Sequence, residues 1–342
     1  MDRTVAGFAH TAMRRAAKVR SMNRRRLLHI AAAALDPVHA LAQSAPWPNR
    51  PLRMIIPWPP GQATDLVGRL AAQKLGEVLG QTVVPENRPG AGGTIGVDAG
   101  ARAAADGYTL LAASSGPVTI APLLQRVPFD PERDLAPVAM HSGSPYVLVV
   151  RRSFPAEDLP TFIAAVRASP GRFTFSSSGT GATAHLIAEY FVRRAELEVE
   201  HIPFQGSVPA VTAVVAGQVD FSFETMASTL PLFRQGTLRA LGVSPARGST
   251  LAPELPPFAT IMPGFDAKAW GGIMVPAATP RPIVERLAAA MGQVMTAPDI
   301  RERFVQARNE IDYKPTEEFA AYLRAQREFF QDIIRRATIR LD

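Results

Sequence analysis

One pattern, repeated along this chain, limits its fold more than any other feature: a short apolar strand, a loop of small residues, then an amphipathic helix. The fullest copy spans residues 173–194 (FTFSSSGTGATAHLIAEYFVRR). Phe173 and Phe175 alternate with Thr174 and Ser176, as in a strand with one buried face. The loop that follows has almost no side-chain bulk, so a ligand can approach its backbone. Leu186, Ile187, Tyr190 and Phe191 recur at helical spacing. A loop that leads into a helix offers unpaired N–H groups and a positive dipole end, which suits an anion or a carboxylate; a plain strand-to-helix turn is the other reading of the same residues.

Further copies begin at residues 52–58, 83–84, 108–113 and 199–204. The first leads through Pro59, Pro60, Gly61, Gln62 and Ala63 into a helix, with Thr64 or Asp65 as the expected cap and Gly80 as the stop. Its apolar face is read as Leu66, Val67, Leu70, Ala71, Leu75, Val78 and Leu79. The third strand ends in Ser114, Ser115, Gly116 and Pro117, with a helical stretch near Leu123. Such alternation predicts parallel α/β layers with loops gathered at one strand end. Strands are also expected at 135–140 and 146–150 around a loop at 141–145, and at 218–223, 237–243 and 270–275. Proline density makes 245–263 an extended loop. Helices follow at 282–295 and 298–307, and Thr316 is expected to cap a last helix with a packing stripe of Phe319, Tyr322, Leu323, Gln326, Phe329, Phe330 and Ile333. The expected organisation is a discontinuous lobe of residues 43–145 and 245–342, and a second lobe of residues 146–244. Four small-residue loops, 58–65, 114–117, 177–183 and 205–207, fall at strand ends, where ligand clefts form.

A net charge of +7 invites a nucleic-acid reading, but the charge is concentrated. Residues 1–42 carry eight Lys/Arg against two Asp, and the remainder carries 29 basic and 28 acidic residues. The body therefore gives no electrostatic case for nucleic acid. Residues 1–42 read as an N-terminal extension and export signal. From Met22, the expected start, a basic head leads to an apolar run and to Ala40-Leu41-Ala42, with cleavage after Ala42. Arg24-Arg25-Arg26-Leu27-Leu28 also fits a loose twin-arginine pattern, so the route to the periplasm is either Sec or twin-arginine.

Cysteine is absent, which excludes disulfides, thiolate catalysis and thiolate metal sites. No H-E-x-x-H, nucleophile elbow or P-loop occurs, and the body's histidines, His141, His185 and His201, lack metal-ligand spacing. Asp65 as a base is explained more simply by capping. Gly179-Thr180-Gly181-Ala182-Thr183-Ala184 matches the dinucleotide fingerprint G-x-G-x-x-A, with Glu198 or Glu200 downstream, so a dinucleotide-binding oxidoreductase is one alternative. The loops hold no Lys or Arg, so recognition there rests on backbone N–H groups, hydroxyls and water, without catalysis and without a cofactor or metal.

Taken in order, the motifs resemble the Bug-type periplasmic solute receptors of tripartite tricarboxylate transporters. They are Trp47-Pro48; PWPPGQATD at 57–65; ENRPGAGG at 86–93; Asp106-Gly107-Tyr108; SSSGTGATAHL at 176–186; PFQGS at 203–207; GQVDF at 217–221; GTLRALG at 236–242; and Trp270-Gly271 with PAATP at 276–280. The resemblance implies a type II periplasmic-binding-protein fold: two α/β lobes closing on a small ligand by hinge motion. It implies a non-enzymatic receptor for a small organic carboxylate (a di- or tricarboxylate, an aromatic acid or an acidic amino acid) that delivers it to membrane permease subunits; a sensory or scavenging receptor without its own permease is the other form. Carried over, the first lobe's ligand-binding residues are Pro60, Gly61, Gln62, Thr64, Asp65, Ser114 and Ser115. The second lobe's are Ser177, Ser178, Gly179, Thr180, Gly181, Thr183, Phe204, Gln205, Gly206 and Thr225, the last beside Glu224, with His185 in support. The family usually has paired glycines where this chain has Gly61-Gln62, so Gln62 is expected to shape the pocket.

Overall fold

The computed structural model describes residues 47–337, so the export signal, its start and its cleavage site lie outside the described residues. The chain divides into an N-terminal unit, Met1–Asn49, and a unit running from Arg50 to Asp342 that holds every strand and helix described below.

Two sheets form the second unit. The first carries β1 (Leu52–Ile56), β2 (Val83–Asn87), β3 (Thr109–Ser114), β4 (Leu135–Ser144), β10 (Ala269–Pro276) and β11 (Glu310–Lys314), in the order β11-β4-β10-β3-β1-β2. β1 pairs parallel with β2 and β3, and β10 runs antiparallel between β3 and β4. All six residues of β3 are buried, as expected of a strand covered on both faces. The second sheet carries β5 (Tyr146–Arg151), β6 (Thr174–Ser177), β7 (Glu200–Pro203), β8 (Phe221–Thr225) and β9 (Leu238–Val243), in the order β7-β6-β8-β5-β9. β6 is parallel to β7 and β8, and β5 is antiparallel to β8 and β9.

Helices cover both sheets. On the first, α1 (Ala63–Leu79) buries Val67, Ala71, Leu75 and Leu79, while Leu66 and Val78, read as part of its apolar face, stand exposed at the edges. The stripe at i, i+4 is enough because Gly68 lets the helix sit close: a Cβ there would lie 3.3 Å from Ala112 and Ile56. α2 (Thr94–Ala101) follows β2. On the second sheet, α3 (Leu159–Arg167) and α4 (Thr183–Arg194) cover one face through a phenylalanine-rich core of Phe162, Phe175, Phe191, Phe221 and Phe223. α5 (Ser207–Val215) and α6 (Met226–Arg234) cover the other through Val147, Val149, Val211, Val214 and Met226. α7 (Arg281–Thr296) and α8 (Ile300–Gln306) precede β11.

The last helix, α9 (Thr316–Ala337), begins at Thr316, whose hydroxyl donates to the Val138 carbonyl. Its stripe buries Phe319 against Trp270 of the first sheet, and Phe330 and Ile333 in a cluster with Ile120 and Leu186 of α4. Elsewhere the chain passes between sheets at Pro145, the single residue between β4 and β5, and through the 244–268 loop. These two passages are tied, because Ser244 N–H donates to the Tyr146 carbonyl and Tyr146 N–H to the Ser244 hydroxyl.

Two expectations need correction. Residues 141–144 are not a loop but the end of β4, held between β10 and β11. Gly271 makes this possible: a Cβ there would lie 2.4 Å from the Ser142 hydroxyl. β11 itself went unread, since its residues are polar and half-buried.

Candidate functional site

The site is built from loops at the C-terminal ends of β1, β3, β6, β7 and β8. Four helices leave these ends, and their caps share a property. Gln62 caps α1, Ala182 caps α4, Gly206 caps α5 and Thr225 caps α6, and none makes a side-chain cap hydrogen bond. α3, which starts behind β5, carries a full Asp158–Thr161 capping box, while α2, α7 and α8 also begin without a side-chain cap. The helices at the strand ends thus leave first-turn N–H groups without a side-chain cap, the arrangement that receives anions.

In the β1 loop, Asp65 departs from the expected cap. The helix starts at Ala63, and Asp65 lies buried within its first turn, its Oδ2 accepting from Gly61 N–H at 2.8 Å. Oδ1 accepts from Arg69 Nε at 2.9 Å and from Asn87 Nδ2 at 2.7 Å, and Asn87 also donates to the Trp58 carbonyl. Burial alone would push this carboxyl up, but the bonds from Asn87, Gly61 and Arg69 outweigh it and hold it below the usual range. Asp65 is therefore a brace for the loop: its oxygens are spent on the protein. Pro60, Gly61 and Gln62 above it are exposed, and Thr64 is half-buried. Asp65→Asn is expected to cost about 1–3 kcal/mol at neutral pH by loss of these charge-assisted bonds. Because the folded carboxyl is the stronger acid, the difference from the native protein should vanish as pH falls through its titration, which urea titrations at stepped pH would read.

The β1 and β3 loops meet where Trp58 Nε1 donates to the Ser114 hydroxyl at 2.9 Å. Ser115 lies 3.2 Å from the Thr183 hydroxyl, linking the first sheet's loop to the first residue of α4. Tyr146 on β5 also hydrogen-bonds Thr183, and its phenol is pushed far above its ordinary range by burial and by Glu224. Ser114, Ser115 and Thr183, singled out separately in the sequence, are thus brought together, with Trp58 and Tyr146 added by the fold.

The 177–183 loop is supported from below. Ser177 is buried, its hydroxyl 2.7 Å from His201 Nε2. The His201 ring stacks on His185, 3.9 Å between centroids and 11° from parallel, and Phe175 lies 4.8 Å from His201 and 6.4 Å from His185. Burial, then the neighbouring His185, push His201 down to about 4, so it is neutral at physiological pH. His185 Nδ1 accepts Gly181 N–H at 3.1 Å, which places the ring proton on Nε2. Gly179 (φ 134°) and Gly181 (φ 75°) occupy backbone regions that L side chains rarely adopt. Phe204 N–H donates to the Ser177 carbonyl, joining the β7 loop to this one.

Ser178 borders a further group. It and Ser207, at the start of α5, lie around the buried Glu224 carboxyl, and Thr225 N–H donates to Glu224 Oε2. At the rim, Thr180 and Gln205 are exposed, and Gly206 and Thr225 are half-buried. Trp58 and Asn87 had been read only as members of the motifs at 57–65 and 86–93, Tyr146 as a strand residue and His201 as a histidine without metal-ligand spacing. Only their long-range partners reveal them, and no sequence spacing carries that signal. Among the described residues no cluster of His, Asp and Glu could hold a metal, and no helix is long and apolar enough to cross a membrane.

Two α/β sheets with such loops at their strand ends have the two-lobed architecture of the periplasmic-binding-protein fold. The solved structure of the periplasmic binding protein BugD covers 86% of this chain and 99% of its own, with a TM-score of 0.75 and 28% identity. Two Rhodopseudomonas palustris proteins are similar: Rpa4515 with adipate (TM-score 0.78, 26% identity, covering 86% of this chain and 99% of its own) and MatC with bound malate (TM-score 0.73, 29% identity, 84% and 100%). Among sequences, the protein of the tcbD-tcbE intergenic region of Pseudomonas sp. strain P51 is 36% identical over 317 residues, 92% of this chain and 94% of its own. BugT of Bordetella pertussis is 37% identical over 288 residues, 83% of this chain and 88% of its own. The profile of the tripartite tricarboxylate transporter family receptor matches residues 67–339, and the chain belongs to that family of periplasmic solute-binding receptors.

Proposed function

We propose that this receptor is exported to the periplasm, captures a small organic carboxylate without chemical change, and delivers it to the permease subunits of a tripartite tricarboxylate-type transporter. The ligand sits between a lobe of residues 43–145 and 245–342 and a lobe of residues 146–244. The first lobe's jaw is the Pro60 to Asp65 loop with Ser114 and Ser115. The second lobe's jaw is Ser177 to Thr183 with Phe204, Gln205, Gly206 and Thr225, and His185 steadies it through Gly181.

The observation that carries this reading is the set of four helix N-termini at the strand ends, none closed by its own side-chain cap. A carboxylate supplies the acceptors those N–H groups need, in loops that hold no Lys or Arg. Similar receptors solved with adipate and with malate add support.

Ligand binding to the folded state raises thermal stability by mass action, about 2.7 kcal/mol at a hundredfold excess over Kd. A thermal-shift screen of di- and tricarboxylates, aromatic acids and acidic amino acids is expected to give at least one clear upward shift, and none with NAD. A shift with NAD alone would overturn the receptor reading in favour of a dinucleotide site.

A further inference from the structure

Glu224 is the second sheet's deepest acidic side chain, with no solvent exposure. Its backbone pairs with Val147, so its side chain lies on the face covered by α5 and α6, at the C-terminal end of β8. Ser178, Ser207 and Thr225, all half-buried, surround it, so the carboxyl lies one residue beneath the wall that the 177–183 loop and α5 present. Its two oxygens differ. The Ser207 and Ser178 hydroxyls and the Ser178 N–H also meet the carboxyl, and Oε2 accepts Thr225 N–H at 3.3 Å, whereas Oε1 is buried without a geometric hydrogen-bond partner. A buried, unpartnered carboxyl oxygen is costly unless something completes it.

We propose that Glu224 is a specificity-determining residue which, as a neutral carboxylic acid, donates an O–H hydrogen bond from Oε1 to an oxygen of the bound ligand's second carboxylate. This deepens the receptor reading and rests on it: the substrate class becomes dicarboxylates, one end held by helix N-termini and the other by an acid.

The surroundings favour the neutral form. Burial pushes the carboxyl up to about 7, with the Ser207 and Ser178 hydroxyls pulling the other way. The elements packed on β8 bring few charges near. On β5, Tyr146 stays a neutral phenol, and Arg151 sits at the far end, paired with Asp220. β6 and α5 contain no ionisable residue. On α6, Arg234 is in the last turn, beside Glu254, and Arg308 donates to the Ala227 carbonyl of the first turn at 3.2 Å. On α4, beyond the opposite face, Glu189 lies between His185 and Arg193. An ionised Glu224 would repel an arriving dianion, whereas the acid form turns the same group into a donor that needs an acceptor.

The consequence is a proton taken up on binding. Calorimetry with malate and with adipate, in two buffers of different ionisation heat, reads both affinity and proton count. For whichever probe binds, native affinity is expected to fall about tenfold per pH unit above about pH 7, with close to one proton taken up. Glu224→Gln keeps a donor and loses the titration, so its affinity should be flat with pH and within about threefold of native at about pH 6. Thermal melts check that the variant is folded. A flat native profile without proton uptake overturns the inference, as does a slope that persists in the Gln variant. A folded Gln variant that binds more than a hundredfold weaker also overturns it, since the ligand would then need the charge. If no carboxylate of any kind binds, the receptor reading itself fails and this inference falls with it.

Discussion

Replacing Phe191 by alanine is expected to cost the protein about 3–5 kcal/mol, the usual range for a fully buried phenylalanine. The ring is completely buried on α4 and meets four others. Centroids lie 5.0 Å from Phe258, 5.1 Å from Phe223, 6.2 Å from Phe265 and 6.3 Å from Phe162, most of them edge-on. Those neighbours come from the 244–268 loop, β8 and α3, so the cavity left behind has rigid walls on several elements and collapses poorly. Phe191→Leu keeps most of the volume and should cost less than about half as much. Urea unfolding of both variants, with unchanged slope and shifted midpoint, is the measurement. A loss below about 1 kcal/mol for alanine would show that α4 is held by its other contacts.

Gly181→Asp should abolish carboxylate binding while leaving the fold intact. With φ at 75°, Gly181 sits where an L side chain costs about 1–2 kcal/mol, and aspartate is among the residues that tolerate this best. The new carboxylate lies one residue before the uncapped start of α4, where it would be stabilised by the same N–H groups that receive an anion. It would therefore compete with the ligand from a tethered position and repel it as well. A loss of more than about a hundredfold in affinity, with a melting temperature near native, is the expected result. Gly181→Ala is the control for strain without charge, and it should lose far less. Unchanged affinity in the aspartate variant would remove the 177–183 loop from the site.

What could be read in the sequence was whatever depends on neighbours a few residues apart. The stripe Leu186, Ile187, Tyr190 and Phe191 and the glycines of the strand-end loops lie within one strand–loop–helix copy, and the structure places them on α4 and at the loop turns. The stripe of α9 was legible for the same reason. The alternation at 173–176 was legible only in part: Phe173 and Phe175 share one core, but Phe173 falls one residue before β6 and Ser176, expected on an open face, is fully buried. Residues whose state depends on a distant strand were not. His141 to Ser144 carry the small, polar composition of a loop and become a strand only because β10 and β11 flank them. In β11, Glu310, Asp312 and Lys314 alternate with Ile311 and Tyr313, a pattern too polar to stand out, and Asp312 is held by Lys268 and Lys314. In the site, the loops were legible and their braces were not. Asp65 was read as a cap because it stands near a helix start, yet its partners Asn87 and Arg69 belong to β2 and to the next helical turn.

Pro145 carries a mechanical consequence. It is the whole passage from β4 to β5, its ring fixes its own φ, and its carbonyl accepts the N–H of Met226, the first residue of α6. A swing of one sheet against the other has few torsions to spend at this passage, and it drags the mouth-lining start of α6 along. Such an articulation behaves as a stiff pivot with a preferred axis, where a longer linker would allow sliding in any direction.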